Sequence, residues 1–169
     1  MEFEIDVSGS DLLEKDYTIV IADKNNIIKG YKFDEKTIKI IKSRYGEGKY
    51  HYKISSQGRA LLKIRIYSVI IYYLFKDILD KIEGKKLTLN ICRDFQGHEK
   101  DIKSNLISLL RDKLKLTFEM RHIRLQKGSN ADKYAHLMRK DKKNLIKGYV
   151  KIPYNDIEKF LKQKCARGP

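Results

Sequence analysis

A nearly continuous apolar run, residues 66–75, restricts the folds open to this chain. The run is too short to cross a lipid bilayer, which requires about 20 apolar residues. In a helix its apolar side chains point in nearly every direction, so other parts of the chain must cover it on several sides. We therefore predict a long helix that begins at Ser55 or Ser56, ends near Ile82, and packs between a sheet and other elements.

Strands are predicted on both sides of this helix in the sequence. Residues 3–7 alternate apolar and polar side chains, and β-branched runs at residues 17–22 and 27–33 follow with turn residues between them. After the helix, residues 87–92 and 116–123 have strand patterns, and each is followed by a helical segment. This order predicts an α/β domain with a mixed five-stranded sheet, an antiparallel meander followed by parallel strands, and helices on both faces.

The remaining segments complete this expected architecture. Asp34 is expected to cap a short helix that ends near Gly46. Residues 49–54 are typical of either an edge strand or a loop. The other predicted elements are helices at residues 100–114, from about 131, and at 155–164, and a last strand near 149–152. We expect residues 1–145 to form one domain and residues 146–169 to be a basic strand-and-helix extension of the same domain.

The charge balance is strongly positive. Lys and Arg total 37 against 22 for Asp and Glu, which gives a formal net charge of +15. Such an excess repels itself in a compact state, and the phosphate backbone of nucleic acid is the commonest partner that offsets it. DNA, RNA or a hybrid is therefore the expected partner, although a surface that is simply rich in lysine gives the same count.

The two cysteines, Cys92 and Cys165, have neither metal-binding spacing nor the pattern of a disulfide framework. The start of the chain lacks the basic and apolar regions of a signal peptide. We accordingly expect a cytoplasmic protein with no membrane partner.

Three aspartates stand where strands end or helices begin. Asp6 lies within the first strand, Asp94 just after the strand at residues 87–92, and Asp132 in the first turn of the helix after Gly128. If the first and fourth strands are neighbours, the three carboxylates can meet, and Mg²⁺ or Mn²⁺ would offset their repulsion. Two such ions about 4 Å apart catalyse phosphodiester hydrolysis. Taken singly, Asp132 also suits a helix start and Asp94 suits a loop, whereas aspartate is disfavoured inside a strand.

Two of these segments resemble the ribonuclease H-like superfamily. Residues 5–10, IDVSGS, are similar to its first-strand motif and to the strand that opens the Piwi domains of Argonaute proteins. Residues 129–135, SNADKYA, are similar to the last-helix motif of ribonuclease H. The resemblance implies a metal-dependent nuclease in which Asp6, Asp94 and Asp132 hold the metal ions.

The resemblance also extends to auxiliary residues, and it has one departure. His122 precedes Asp132 at a spacing similar to that of a product-release histidine in ribonuclease H, and Glu4 shares the strand face of Asp6. Ribonuclease H carries a catalytic Glu in the first turn of its long helix. Here residues 55–59 read SSQGR, with no carboxylate.

Further nucleic-acid contacts are predicted outside the acidic residues. Residues 44–53 interleave aromatic and basic side chains, which suits base stacking and phosphate contact, but equally suits ordinary packing. The candidates are Arg44, Tyr45, Lys49, Tyr50, Tyr52, Lys53, Arg139, Lys140, Lys142 and Lys143, with the tail cations Lys159, Lys162, Lys164 and Arg167.

The leading hypothesis from sequence is thus a Mg²⁺- or Mn²⁺-dependent nuclease of ribonuclease H-like fold. A non-catalytic DNA- or RNA-binding module on the same fold is the main alternative. A ribosome- or RNA-associated assembly protein with structural aspartates is the third.

Overall fold

A mixed five-stranded sheet forms the centre of the fold in the computed structural model, which describes residues 1–162. Its strands are β1 (Glu2–Ser8), β2 (Thr18–Ala22), β3 (Ile28–Lys32), β4 (Lys86–Ile91) and β5 (Thr117–His122). They lie in the order β3-β2-β1-β4-β5. The first three strands form an antiparallel meander, whereas β4 is parallel to β1 and β5 is parallel to β4. The predicted α/β class and mixed sheet are confirmed.

Three of the helices in residues 1–162 begin at a side-chain cap. The helices are α1 (Glu35–Gly46), α2 (Ser56–Asp77), α3 (Leu79–Ile82), α4 (Glu99–Leu106), which continues as a π-helical segment (Ile107–Lys113), α5 (Asn130–Lys140) and α6 (Tyr154–Leu161). The side chains of Asp34, Ser55 and Ser129 accept hydrogen bonds from the first turns of α1, α2 and α5. The long helix predicted to reach Ile82 is interrupted at Ile78, which leaves the helical conformation.

Helices cover both faces of the sheet. On one face Phe3 and Ile5 are fully buried, and the ring of Phe3 packs edge-on against Phe75 of α2 at 5.2 Å between centroids. On the other face a smaller core joins β2 to α5 and consists of Val20, Ala22, Ala131, Ala135 and Met138. Because side chains alternate along a strand, the polar residues of β1 point toward α5.

The predicted last strand at residues 149–152 is wrong. The chain makes one bridge to the edge strand β3: Gly30 N donates to Gly148 O at 2.9 Å, and Val150 N donates to Gly30 O at 2.8 Å. After this bridge the chain leaves the sheet to bury Ile152 in the main core, and α6 begins directly after Pro153. Helix α6 then packs on α2, where Tyr73 of α2 donates its hydroxyl hydrogen to Asp156 O at 3.0 Å.

Candidate metal centre and nucleic-acid surface

The pairing of the two central strands places Asp6 at the carboxyl end of β4. Ile5 pairs with Ile91 in the parallel register, and Cys92 N donates to Ile5 O at 3.1 Å. Asp6 follows Ile5 and points to the opposite face, toward α5. The residues that follow β4 therefore reach the Asp6 carboxylate.

Three potential metal ligands meet at this point. One donor atom each from Asp6, Cys92 and Asp94 lies within 4.8 Å of the other two. The thiol of Cys92 donates to Asp94 Oδ2 at 3.0 Å, and Asp6 Oδ1 accepts a hydrogen bond from Val7 N at 2.8 Å. Asp6 is half-buried and Asp94 is exposed, so the group faces solvent on one side. We call these three residues the Asp–Cys–Asp cluster.

Burial and like charge act together on Asp6. The pKa of Asp6 is raised to about 6, chiefly by burial and also by the negative charges of Asp94 and Asp132, while the Val7 N–H opposes the rise. Burial also raises the pKa of the Cys92 thiol, with a further contribution from Asp94. The thiol therefore stays protonated at neutral pH and acts as a hydrogen-bond donor to Asp94.

Asp132 is near the cluster but is held by its own helix start. Its Oδ2 accepts a hydrogen bond from Gly128 N at 2.8 Å, and its backbone N donates to Ser129 Oγ at 3.4 Å. Its charge reaches Asp6 and raises the pKa of that carboxyl, yet Asp132 is not among the residues whose donor atoms lie within 4.8 Å of one another. The structure thus brings Asp6 and Asp94 together with Asp132 at the margin.

The two auxiliary candidates lie elsewhere. Glu4 shares the β1 face of Asp6 and lines a separate cavity of about 250 Å³ with Glu2 and Asn130. His122 shares one face of β5 with Phe118 and Met120, which pack into the main core, and it therefore points to the face opposite Asp6. Burial lowers the pKa of His122.

Residues 49–54 form a loop rather than a strand. Two nearby tyrosines that were candidates for base stacking, Tyr45 and Tyr50, are buried. Tyr45 donates its hydroxyl hydrogen to Lys53 O at 2.6 Å, and the Tyr50 hydroxyl lies 3.4 Å from Glu158 Oε1. The rings of Tyr45 and Tyr50 belong to the core, which is the arrangement that ordinary packing predicts. Tyr52 is half-buried and packs against the same core.

The basic side chains of residues 44–53 are only partly available for contacts with nucleic acid. Arg44 Nη1 lies 3.2 Å from Glu158 Oε1, and Lys49 Nζ lies 2.8 Å from Glu47 Oε2. Lys53 is exposed.

The end of α5 presents basic side chains close to β1, the strand that carries Asp6. Arg139 Nε donates to Ser8 Oγ at 2.8 Å, which holds its guanidinium beside the end of β1. The exposed cations that follow are Lys140, Lys142 and Lys143. Lys159 and Lys162 belong to or follow α6, whereas Lys164, Cys165 and Arg167 lie outside the described residues.

Sequence reasoning missed Cys92 as a member of the cluster. It treated the cysteine as part of an apolar strand, although Cys92 stands two residues before Asp94 at the end of β4. The available signal was the two-residue spacing of Cys92 and Asp94. A side chain just past the end of a strand can contact the side chain of a residue two positions later.

Comparisons with family models, curated proteins and solved structures found no match to this chain. Within residues 1–162, no helix combines the length and apolar character needed to traverse a membrane.

Proposed function

We propose that this protein is a divalent-metal-dependent nuclease with a ribonuclease H-like fold. The observation that carries the proposal is the meeting of Asp6 and Asp94 at the carboxyl ends of two neighbouring parallel strands, with Asp132 beside them. Carboxylates so close repel one another, and a divalent cation is the natural partner that offsets the repulsion.

The strand order supports the proposed fold. The resemblance implied an aspartate in the first strand, a second after the fourth strand, and a third at the start of a late helix. Here β1 and β4 are adjacent, and α5, which carries Asp132, packs across β1 and β2.

The donor set suits Mg²⁺ or Mn²⁺. The carboxylate oxygens of Asp6 and Asp94 are hard ligands of the kind that these cations prefer. A bound cation would supply positive charge to the scissile phosphate and lower the pKa of the attacking water. Cys92, which remains protonated, fixes the orientation of Asp94.

The charge distribution supports a nucleic-acid substrate. The net charge is +15, and α5, whose last turn carries Arg139 and Lys140, packs on the face of the sheet that carries Asp6. Lys and Arg near an acidic metal site would hold the phosphate backbone while the metal ions act on one phosphate.

A non-catalytic nucleic-acid-binding module is the second candidate, and one observation favours it. The first turn of α2 carries no acidic residue, so the fourth carboxylate of ribonuclease H is missing there. Such a module would use the same basic surface without cutting.

A cleavage assay with labelled DNA, RNA and hybrid substrates in Mn²⁺ or Mg²⁺ distinguishes the two functions. We expect cleavage by the wild type and a loss of about a hundredfold or more in Asp6→Asn and Asp94→Asn, because metal ligands and their neighbours commonly have effects of that size. Asp112→Asn, a change at an exposed aspartate of the π-helical segment, is the matched control.

Salt-sensitive binding without cleavage, unchanged in Asp6→Asn, would support the binding module instead. Cleavage that survives in both Asp6→Asn and Asp94→Asn would show that the cluster is not the active site.

A further inference from the structure

A cavity of about 420 Å³ opens beside the Asp–Cys–Asp cluster. It lies between the loop after β1, the beginning of α2 and the loop after β4, and Asp94 belongs both to its wall and to the cluster. Two cationic side chains of α2, Arg59 and Lys63, also line the cavity. The cavity therefore adjoins the candidate metal centre and has two cationic side chains in its lining.

The beginning of α2 adds to this positive character. Ser55 caps the helix by accepting a hydrogen bond from Gly58 N at 3.0 Å, and the first turn contains no acidic residue. The partial positive charge of a helix start is therefore not offset within the turn. Arg59 and Lys63 are four residues apart on this helix, so their side chains lie on one face.

One carboxylate, that of Asp11, forms an ion pair with Lys63 at the wall of the cavity. Lys63 Nζ lies 2.8 Å from Asp11 Oδ2, and Lys63 and Arg59 both lower the pKa of Asp11. Asp11 itself lines the cavity and fixes the lysine at its wall. Arg59 is exposed and extends the positive charge toward solvent.

We propose that this cavity binds a phosphate group of a nucleic-acid strand. Arg59 and Lys63 donate charge-assisted hydrogen bonds to the phosphate oxygens. Tyr17 and Phe95 form an uncharged wall. Resting on the proposed function, the phosphate lies next to the bond that is cut, because Asp94 connects the cavity to the cluster. The lack of a carboxylate in the first turn of α2 is consistent with this proposal, since an acidic side chain there would repel the phosphate.

Binding measurements that need no cleavage test the proposal. Arg59→Gln and Lys63→Gln are made in an Asp6→Asn background, and the Kd of short fluorescent DNA and RNA strands is measured without divalent ions across a salt series. Lys85→Gln is the matched control, because it removes one charge just before β4, at the end of that strand opposite Asp94.

We expect each cavity variant to raise the Kd about tenfold, as the loss of a hydrogen bond to a charged group predicts. The slope of log K against log salt should fall by about 0.7, the value for one phosphate contact on a single strand. Lys85→Gln should change the Kd less than about twofold, as expected for a charge remote from the site.

Strands with 5′-phosphate and 5′-hydroxyl ends identify the source of the phosphate. An effect on both strands indicates an internal phosphodiester, and an effect confined to the 5′-phosphorylated strand indicates a terminal phosphate; either supports the proposal. If Arg59→Gln and Lys63→Gln both behave like Lys85→Gln, the cavity does not bind phosphate.

The result is independent of the nuclease proposal. If the cavity variants lose binding and the wild type does not cleave in Mn²⁺, the phosphate site is supported and the nuclease proposal is contradicted. Only the position of the phosphate next to a cut bond is then withdrawn. Because Lys63→Gln also breaks the contact with Asp11, its thermal unfolding is measured in parallel, and Arg59→Gln gives the answer if Lys63→Gln does not fold.

Discussion

The Cys92 thiol donates a hydrogen bond to Asp94 Oδ2 at 3.0 Å, so a soft, protonated group orients one of the hard ligands of the candidate metal centre. This relationship predicts a graded response to substitution. Cys92→Ser keeps a donor, and we expect cleavage in Mn²⁺ to remain within about threefold of the wild type. Cys92→Ala removes the donor, and we expect a loss of about tenfold, at the lower end for residues that orient metal ligands.

The same thiol predicts a distinctive response to thiophilic ions. Cd²⁺ binds thiolate strongly and can displace the thiol proton, so it should bind the wild type more tightly than Cys92→Ser. Titration of both proteins with Cd²⁺, followed by thiolate absorbance, measures the difference. Equal Cd²⁺ affinity in the two proteins would contradict a cluster that contains Cys92.

Ionisation of Asp6 should cost stability at neutral pH. Its pKa rises from the ordinary 3.8 to about 6, so the folded protein retains a proton that the unfolded chain releases between these values. The stabilisation that comes from this retained proton is fully present below pH 3.8 and is lost as the pH rises from 3.8 to about 6. Asp6→Asn should therefore be more stable than the wild type at pH 7.5 by about 1 kcal/mol, after allowance for partial exposure, or about 2–4 °C in Tm.

Thermal unfolding from pH 4 to pH 8 measures this effect in the absence of divalent ions. The advantage of Asp6→Asn should disappear near pH 4, and Asp112→Asn is measured in parallel as the control. Mn²⁺ should raise the Tm of the wild type but not that of Asp6→Asn. An Asp6→Asn protein that is less stable than the wild type at pH 7.5 would contradict the destabilising effect assigned to the ionised Asp6 carboxylate.

Local signals in the sequence were sufficient for much of the fold. Asp34, and Ser55 as one of two candidates, were predicted as helix caps because a cap needs only its own first turn, and both predictions are confirmed. Alternation around Asp6 likewise fixed the face of β1, and the turn residues between β2 and β3 predicted the meander.

Long-range packing accounts for what the sequence did not reveal. The Tyr50 hydroxyl lies near Glu158, more than a hundred positions away, and no local pattern separates such a core tyrosine from one that stacks on bases. Cys92 and Asp94 meet Asp6 only because β4 pairs with β1, and the cavity walls come from three separate segments. These sites depend on which elements become neighbours, which a single sequence does not specify.

The buried hydroxyl of Tyr67 predicts an unusual mutational result. Among residues 1–162 it has no hydrogen-bond partner, and a buried polar group without a partner costs free energy. Tyr67→Phe should therefore leave the free energy of unfolding unchanged or increase it by up to about 1 kcal/mol. Tyr45→Phe is the contrasting variant, because it removes the hydrogen bond to Lys53 O and should lose about 1 kcal/mol.

Chemical denaturation of the two variants checks this prediction. A Tyr67→Phe protein destabilised as much as Tyr45→Phe would mean that the Tyr67 hydroxyl is bonded in solution, for instance to a water near the cluster.

Gly58 sets the position of α2 relative to the loop before it. A Cβ at this position would overlap the carbonyl group of Lys53, which is backbone and cannot move as a side chain does. Gly58→Ala should therefore destabilise the protein by about 2 kcal/mol or more, in the range of steric overpacking. At Gly46 of α1 a Cβ would meet no atom within 4 Å, so Gly46→Ala should be neutral or stabilise by up to about 1 kcal/mol. Urea unfolding compares the two alanine variants directly.

Because Arg59 follows Gly58, displacement of the helix start should also weaken strand binding in Gly58→Ala but not in Gly46→Ala. Equal stability and equal binding in the two variants would mean that the loop yields to the added methyl group and that α2 is not held at this point.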